Sequence, residues 1–233
     1  MTNRARFEGA APQLVSADSL TKENFMQSIA PQVASVSILE AITSRHSVRQ
    51  YAPTPIAPGV LTELLRLTSL APSARNLQPW RFIVIQEPGL KAALRAASHD
   101  QAQVEQAPAV IAIIADMDST LERLPEVVHS GLDAVTRERT IASLKDSFAG
   151  MTDRQKADWA SAQCMIAMAY LTLAARGFGL DTVPMQGFDQ TRARELLGLS
   201  GSQEVAVMLP IGYAAQPGFS SQRLTLGSIT TYR

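Results

Sequence analysis

The chain has 233 residues, 46% of them hydrophobic, enough to bury a sizeable core in one large domain or two small ones. Its 21 Lys and Arg balance 21 Asp and Glu, which argues against a general charge-driven affinity for nucleic acid or for an anionic membrane. The one cysteine, Cys164, permits no intramolecular disulfide and no cysteine-built zinc site, so a reducing, cytoplasmic setting is expected.

Residues 1–34 carry Arg4, Arg6, Glu8, Asp18, Lys22 and Glu23 and lack the apolar core of a secretory signal. They read as an N-terminal extension, with 35–233 as the domain. Ile38, Ala41 and Ile42 at helical spacing predict a helix over 37–43, and Val60, Leu61, Leu64, Leu65 and Leu67 predict another over 58–70, whose first turn suits Pro58. Tyr51, Pro53 and Pro55 between them cannot stay helical, so Arg45-His46-Ser47-Val48-Arg49 falls at a helix end and in a loop.

Ala71-Pro72-Ser73-Ala74-Arg75-Asn76-Leu77-Gln78-Pro79-Trp80 is a turn fixed by two prolines that leads into a strand over 80–85, rich in β-branched and aromatic residues. A second strand, 109–115, is an unbroken apolar run that implies burial on both faces, and the two strands are expected to be neighbours. The segment 89–106 between them reads as a helix polar on one side.

Residues 118–153 are charged, with Leu121, Leu124, Val127, Val128, Leu132 and Val135 at loose helical spacing, and read as an excursion or lid. A long helix follows to Arg176, with Asp153 as its expected N-cap and Gly177 and Gly179 as its stop. Its middle, Met165 to Leu173, is apolar nearly all round, which assigns it to the core or to a subunit interface; it is too short for the ~20 residues of a membrane span. A short strand near 182–183, the turn Pro184-Met185-Gln186-Gly187, a helix over 190–197 and a strand over 205–213 complete the domain before a Gly, Ser and Thr-rich tail in which Arg223 stands out.

Three of these segments carry candidate chemistry. Two guanidiniums and a hydroxyl within Arg45 to Arg49 can clamp a phosphate and the polar edge of a ring, and the amides of Asn76 and Gln78 donate and accept at once, as a pyrimidine-like edge requires. Gly187 lets backbone N–H groups approach a ring nitrogen closely, and Arg223 offers a second phosphate contact. Taken singly, each also fits a plain reading: a solvated basic turn, a capped turn before a structural tryptophan, a glycine turn, a solvated arginine. Together they point to flavin mononucleotide, FMN. His46, His99 and His129 lack metal-ligand spacing, Cys164 reads as a buried small hydrophobe, and no Gly-x-Ser-x-Gly, phosphate-loop or Gly-x-Gly-x-x-Gly pattern occurs.

On Arg45 to Arg49, Ala71 to Trp80, Gly179-Leu180-Asp181-Thr182-Val183-Pro184-Met185-Gln186-Gly187-Phe188-Asp189, and Gly212-Tyr213 followed by Arg223-Leu224, the chain resembles the nitroreductase family of flavin enzymes. The resemblance implies an α+β fold, a mixed sheet flanked by helices, in an intertwined homodimer with FMN at the interface. It implies hydride transfer from NADPH or NADH through FMN to nitroaromatics, quinones or other small planar electron-poor acceptors in a ping-pong cycle. Reductive dehalogenation, flavin destruction and a non-catalytic flavin-binding module are the alternatives.

By motif position, Arg45, Ser47 and Arg49 contact phosphate, ribityl chain and ring edge, and Arg49 tunes the flavin electrostatically. Asn76 faces the pyrimidine edge, Gln186 and Gly187 lie near the reactive nitrogen, and Arg223 returns to the phosphate. His46, Pro72, Ser73, Gln78 and Met185 complete the candidate cofactor-binding set, with no catalytic side chain and no metal. Two departures stand out: Ser221 occupies a place where the family often has Lys or Arg, and Gln186 one where it often has Glu.

Overall fold

The computed structural model describes residues 36–233; the N-terminal extension falls outside the described residues. Four strands form one sheet in the order β1, β2, β4, β3: β1 is Trp80–Ile85, β2 is Ala109–Ala115, β3 is Asp181–Thr182 and β4 is Glu204–Gly212. Strands 80–85 and 109–115 are neighbours, as their composition predicts, pairing antiparallel from Trp80 opposite Ala115 to Ile85 opposite Val110. β2 with β4 and β3 with β4 are antiparallel too, so the parallel element of the expected mixed sheet is confined to an isolated bridge between Ser47 and Thr182.

β2 is buried along its whole length because both of its faces are covered. Side chains alternate across a strand. Ala109, Ile111, Ile113 and Ala115 therefore join one core with Val60, Leu64, Cys164, Ala167 and Leu171, while Val110, Ala112 and Ile114 join a second with Leu94, Ala193 and Met208. The first core is roofed by α2, Pro58–Ser69, and by the long helix α8, Asp153–Gly177; the second by α3, Pro88–Ala97, and α9, Gln190–Leu197.

The first helix among the described residues, α1 at Ile38–Ser44, takes Ser37 as its cap and packs on α8. The predicted single helix over 89–106 is instead two, α3 and the short α4 at Gln103–Gln106, divided by a turn in which His99 and Asp100 take left-handed backbone angles. Arg95 ties the break together through Asp100 at 2.7 Å and Glu105 at 2.9 Å.

The excursion resolves into α5 at Met117–Glu122, α6 at Leu124–Val127 and α7 at Ala134–Ala149, anchored by buried Leu124, Leu144 and Phe148. Phe148 meets Trp159 of α8 edge to face, with ring centroids 5.1 Å apart. The N-cap of α8 is Thr152, not Asp153: the Thr152 hydroxyl accepts from the Gln155 N–H and the Gln155 side chain accepts from the Thr152 N–H, so a capping box decides the start. The short α10, Leu226–Ile229, lies in the tail.

Of the Met165–Leu173 stretch, Ala167, Leu171 and Thr172 are buried, whereas Ile166 and Tyr170 are exposed on this chain. No described helix is long and apolar enough to cross a membrane.

Candidate cofactor site

The basic segment leaves α1 at Arg45, whose backbone turns extended while its N–H still bonds Ala41. The next residues are pulled onto the sheet edge: Ser47 bridges Thr182, and the Val48 N–H donates to the Thr182 carbonyl at 3.2 Å. Thr182 is itself fixed by pairing with Ile211, and its neighbour Asp181 by an ion pair with Arg176 at 2.6 Å. The end of α8 thus sets the position of β3, and β3 sets the position of Ser47.

The tail lies over this segment. Tyr51 bridges Ala214, the Ala52 N–H donates to the Tyr213 carbonyl at 2.8 Å, and the Ala215 N–H donates to the Gln50 carbonyl at 2.9 Å. The Tyr51 hydroxyl, buried beneath, donates toward the carbonyls of Val48 at 2.7 Å and Pro210 at 3.0 Å. Gly212 is needed where β4 ends, because a β-carbon there would stand 2.5 Å from Pro108 Cδ and 3.1 Å from the Tyr51 ring.

The consequence is a cavity of about 710 Å³ lined by Arg45, His46, Thr172, Ser220, Ser221 and Arg223 among others. Two guanidiniums and two hydroxyls from opposite ends of the described chain meet there. This donor set fits a phosphate: planar forks pair with its oxygens, and hydroxyls supply further donors. His46 Nδ1 is buried with no protein partner. Arg49 is exposed and its Nη1 reaches back to the Ser47 carbonyl at 3.4 Å.

The turn after β3 supplies a second set of donors. Met185 has both backbone groups paired with Met208 and its side chain in the core, so it offers no donor of its own and serves to hold the turn. Gln186 donates from Nε2 to the Ala206 carbonyl at 3.1 Å, and the Gly187 carbonyl accepts from Gln101 Nε2 at 3.1 Å. The N–H groups of Gln186 and Gly187 donate to nothing among the described residues. A β-carbon at Gly187 would have 3.8 Å of clearance, so the fold of this chain does not itself require glycine there.

The loop after α2 stands apart from both. Ser73 Oγ accepts from the Gln78 N–H at 2.9 Å, Asn76 Oδ1 accepts from Gln78 Nε2 at 3.1 Å, and Asn76 Nδ2 donates to the Val127 carbonyl at 3.2 Å. Arg75, Asn76 and Gln78 all sit at positive φ, 54°, 57° and 47°, a strain that side chains other than glycine rarely adopt and that clusters at ligand-holding loops. Pro72 is exposed beside them.

The loop is pinned to α8 by Gln163, whose Oε1 accepts from the Ala74 N–H at 2.9 Å, whereas Arg45 and Arg223 share their cavity with Thr172 and Leu173. At about 1.5 Å per residue those two points on α8 lie roughly 13 Å apart along its axis. On one chain the sequence motifs thus stay apart: Arg45 and Arg223 share a cavity, the 72–78 loop is held at Gln163, and the turn at Gln186 and Gly187 lines neither of these places. Gln163 and Ser220 belong to none of the sequence motifs; only their placement in the fold brings them to the site.

Comparison with known proteins gives concordant results. The model of the nitroreductase family matches residues 42–213. A protein of Thermus thermophilus named NADH dehydrogenase is 39% identical over 203 residues, covering 86% of this chain and 99% of its own. YdgI of Bacillus subtilis, named as an NAD(P)H nitroreductase, is 34% identical, covering 84% of this chain and 97% of its own. A nitroreductase structure from Exiguobacterium sibiricum, solved in complex with FMN, superposes with a TM-score of 0.77 at 30% identity, covering 87% of this chain and 99% of its own.

Proposed function

The chain belongs to the nitroreductase family, and from that premise we propose that it is an FMN-dependent oxidoreductase. In this reading it takes hydride from NADPH or NADH and passes it to nitroaromatics, quinones or other small planar electron-poor acceptors in a ping-pong cycle. The observation that carries the reading is the cavity in which Arg45 and Arg223 meet Ser220 and Ser221. Bound FMN supplies the hydride acceptance and release that no side chain of the protein could perform.

The residues of the chain bind and orient. Arg45 and Arg223 neutralise the phosphate, with Ser221 contributing a hydroxyl in place of a third cation. Ser47, fixed by Thr182, meets the ribityl chain. The unpaired N–H groups of Gln186 and Gly187 donate to the ring edge, so the departure from Glu at position 186 leaves the backbone contact intact. Arg49 places positive charge beside the ring, and Arg49→Ala is expected to lower the flavin's midpoint potential.

The active unit in this reading is a homodimer. On a single chain Ile38 and Leu39 of α1 are each 75% exposed, Phe219 of the tail is 87% exposed and Tyr232 is 88% exposed. Apolar surface of that extent favours burial against another copy. A second copy would also bring its 72–78 loop, with Asn76, to a flavin whose phosphate lies in the first copy's Arg45 and Arg223 cavity.

The test is titration of apoprotein with FMN, followed by flavin fluorescence quenching and sedimentation. The reading expects one FMN per chain on a dimer. A monomer that binds FMN would remove the homodimer from it, and no binding would remove the flavin.

A further inference from the structure

A cavity of about 1040 Å³ opens between the strained 73–78 loop and the excursion. Its floor is apolar, from Val127, Val128 and Leu144, while its cations are Arg75, Arg137 and Arg139. None of these three forms an ion pair among the described residues, and the one acid of the wall, Glu126, is already paired with Arg123 at 2.5 Å. Arg137 donates from Nη2 to the Pro125 carbonyl, but its Nε is buried without a partner; Arg75 Nη1 reaches only the Ser147 hydroxyl, at 3.3 Å. His129 Nδ1 accepts from the Gly131 N–H at 3.0 Å, so its ring proton sits on Nε2 and adds a donor to the same wall.

An apolar floor with three uncompensated guanidiniums suits a flat molecule that carries an anionic group. Clustered like charges repel one another unless an anion joins them, and a carboxylate or phosphate satisfies the guanidinium forks bidentately. Asn76, assigned above to the flavin's pyrimidine edge, lines the same cavity, so a molecule here would lie next to the flavin.

We propose that this cavity is the subsite for an anionic substituent of the electron-exchanging substrate, an aryl carboxylate on the acceptor or a phosphate on the nucleotide donor. The proposal rests on the FMN reading and names the substrate class of that same site.

The experiment compares wild type with Arg139→Gln and Arg139→Lys in two pairs of assays: 4-nitrobenzoate against neutral 4-nitrobenzamide with NADH, and NADPH against NADH with a neutral quinone. Binding of benzoate, which cannot be reduced, is measured by calorimetry alongside. Wild type is expected to favour the anionic partner of at least one pair, R139Q to lower that ratio about tenfold, and R139K to restore most of it. A ratio lost only with nitrobenzoate assigns the anion to the acceptor, and one lost only with NADPH assigns it to the donor. Unchanged ratios in both pairs, with benzoate binding also unchanged, overturn the proposal. If neither donor reduces a flavin, the FMN reading has failed, and the benzoate titration still decides whether Arg139 holds an anion.

Discussion

Gly218 lies so close to Ser47 that a β-carbon on it would stand 2.7 Å from the Ser47 carbonyl oxygen and 2.8 Å from His46 Cβ. The first of these neighbours is backbone, tied to β3 through the Ser47–Thr182 bridge, and cannot yield cheaply. The tail therefore reaches the Arg45 segment through a glycine, and Arg223 is delivered to the cavity five residues later.

Gly218→Ala is accordingly expected to lift the tail and separate Arg223 from Arg45. An FMN Kd about tenfold higher, equivalent to ~1.4 kcal/mol, is the predicted result in a fluorescence-quenching titration. A wild-type Kd would show that the tail does not depend on this close approach.

Arg45→Gln and Arg223→Gln each remove one charged fork from the proposed phosphate site. Each should weaken FMN about tenfold or more while leaving riboflavin, which has no phosphate, bound as in wild type. Equal weakening of both ligands would mean that these arginines hold the ring or the fold instead.

Tyr51 links the Arg45–Arg49 loop to β4 through two carbonyls, so Tyr51→Phe should cost about 1–3 kcal/mol in urea unfolding. Burial raises its ionisation well above the ordinary tyrosine range; the Asp181 charge adds to the rise and Arg49 opposes it. The folded state thus holds the phenol proton more tightly than the unfolded chain. The resulting stability is fully present below the unfolded value, near ~10, and is lost as pH climbs above it. Wild type should lose stability more steeply than Y51F as pH rises from about 10 to 12, and parallel curves would refute the assignment.

Cys164 is the sole thiol, and burial pushes it up to about 12, with Arg81 pulling the other way. Its sulfur lies 3.8 Å from the Pro79 carbonyl in the first core. A disulfide reagent at pH 8 should leave the folded protein unlabelled and titrate one thiol in urea. Rapid labelling of the folded chain would place Cys164 outside the core.

Much of the fold was legible because periodicity is local. Strands Trp80–Ile85 and Ala109–Ala115 and helices α2 and α9 follow the spacing of their own apolar residues. The break at His99 and Asp100 was hidden because neither glycine nor proline marks it, and its left-handed angles are held by Arg95 from the preceding helix. The three helices of the excursion share so few buried side chains that their pattern blurs into one charged run.

At the site, the motifs carried the residue types but not their grouping. That Arg223 joins Arg45, and that the loop of Asn76 is held at Gln163, away from both along the helix, depends on the tail crossing the sheet edge and on the length of α8. Met185 reads like its neighbours Gln186 and Gly187, yet pairing with Met208 turns it into the core. Nothing in the sequence sets Arg137 and Arg139 apart, because a charged helix ordinarily faces solvent.

The central claim is that this chain cycles electrons through FMN, and it is tested most directly by anaerobic visible spectra of the holoprotein before and after NADPH and then NADH. The account predicts flavin bands that bleach with at least one donor and return when a quinone is admitted. Bands that persist with both donors would contradict it.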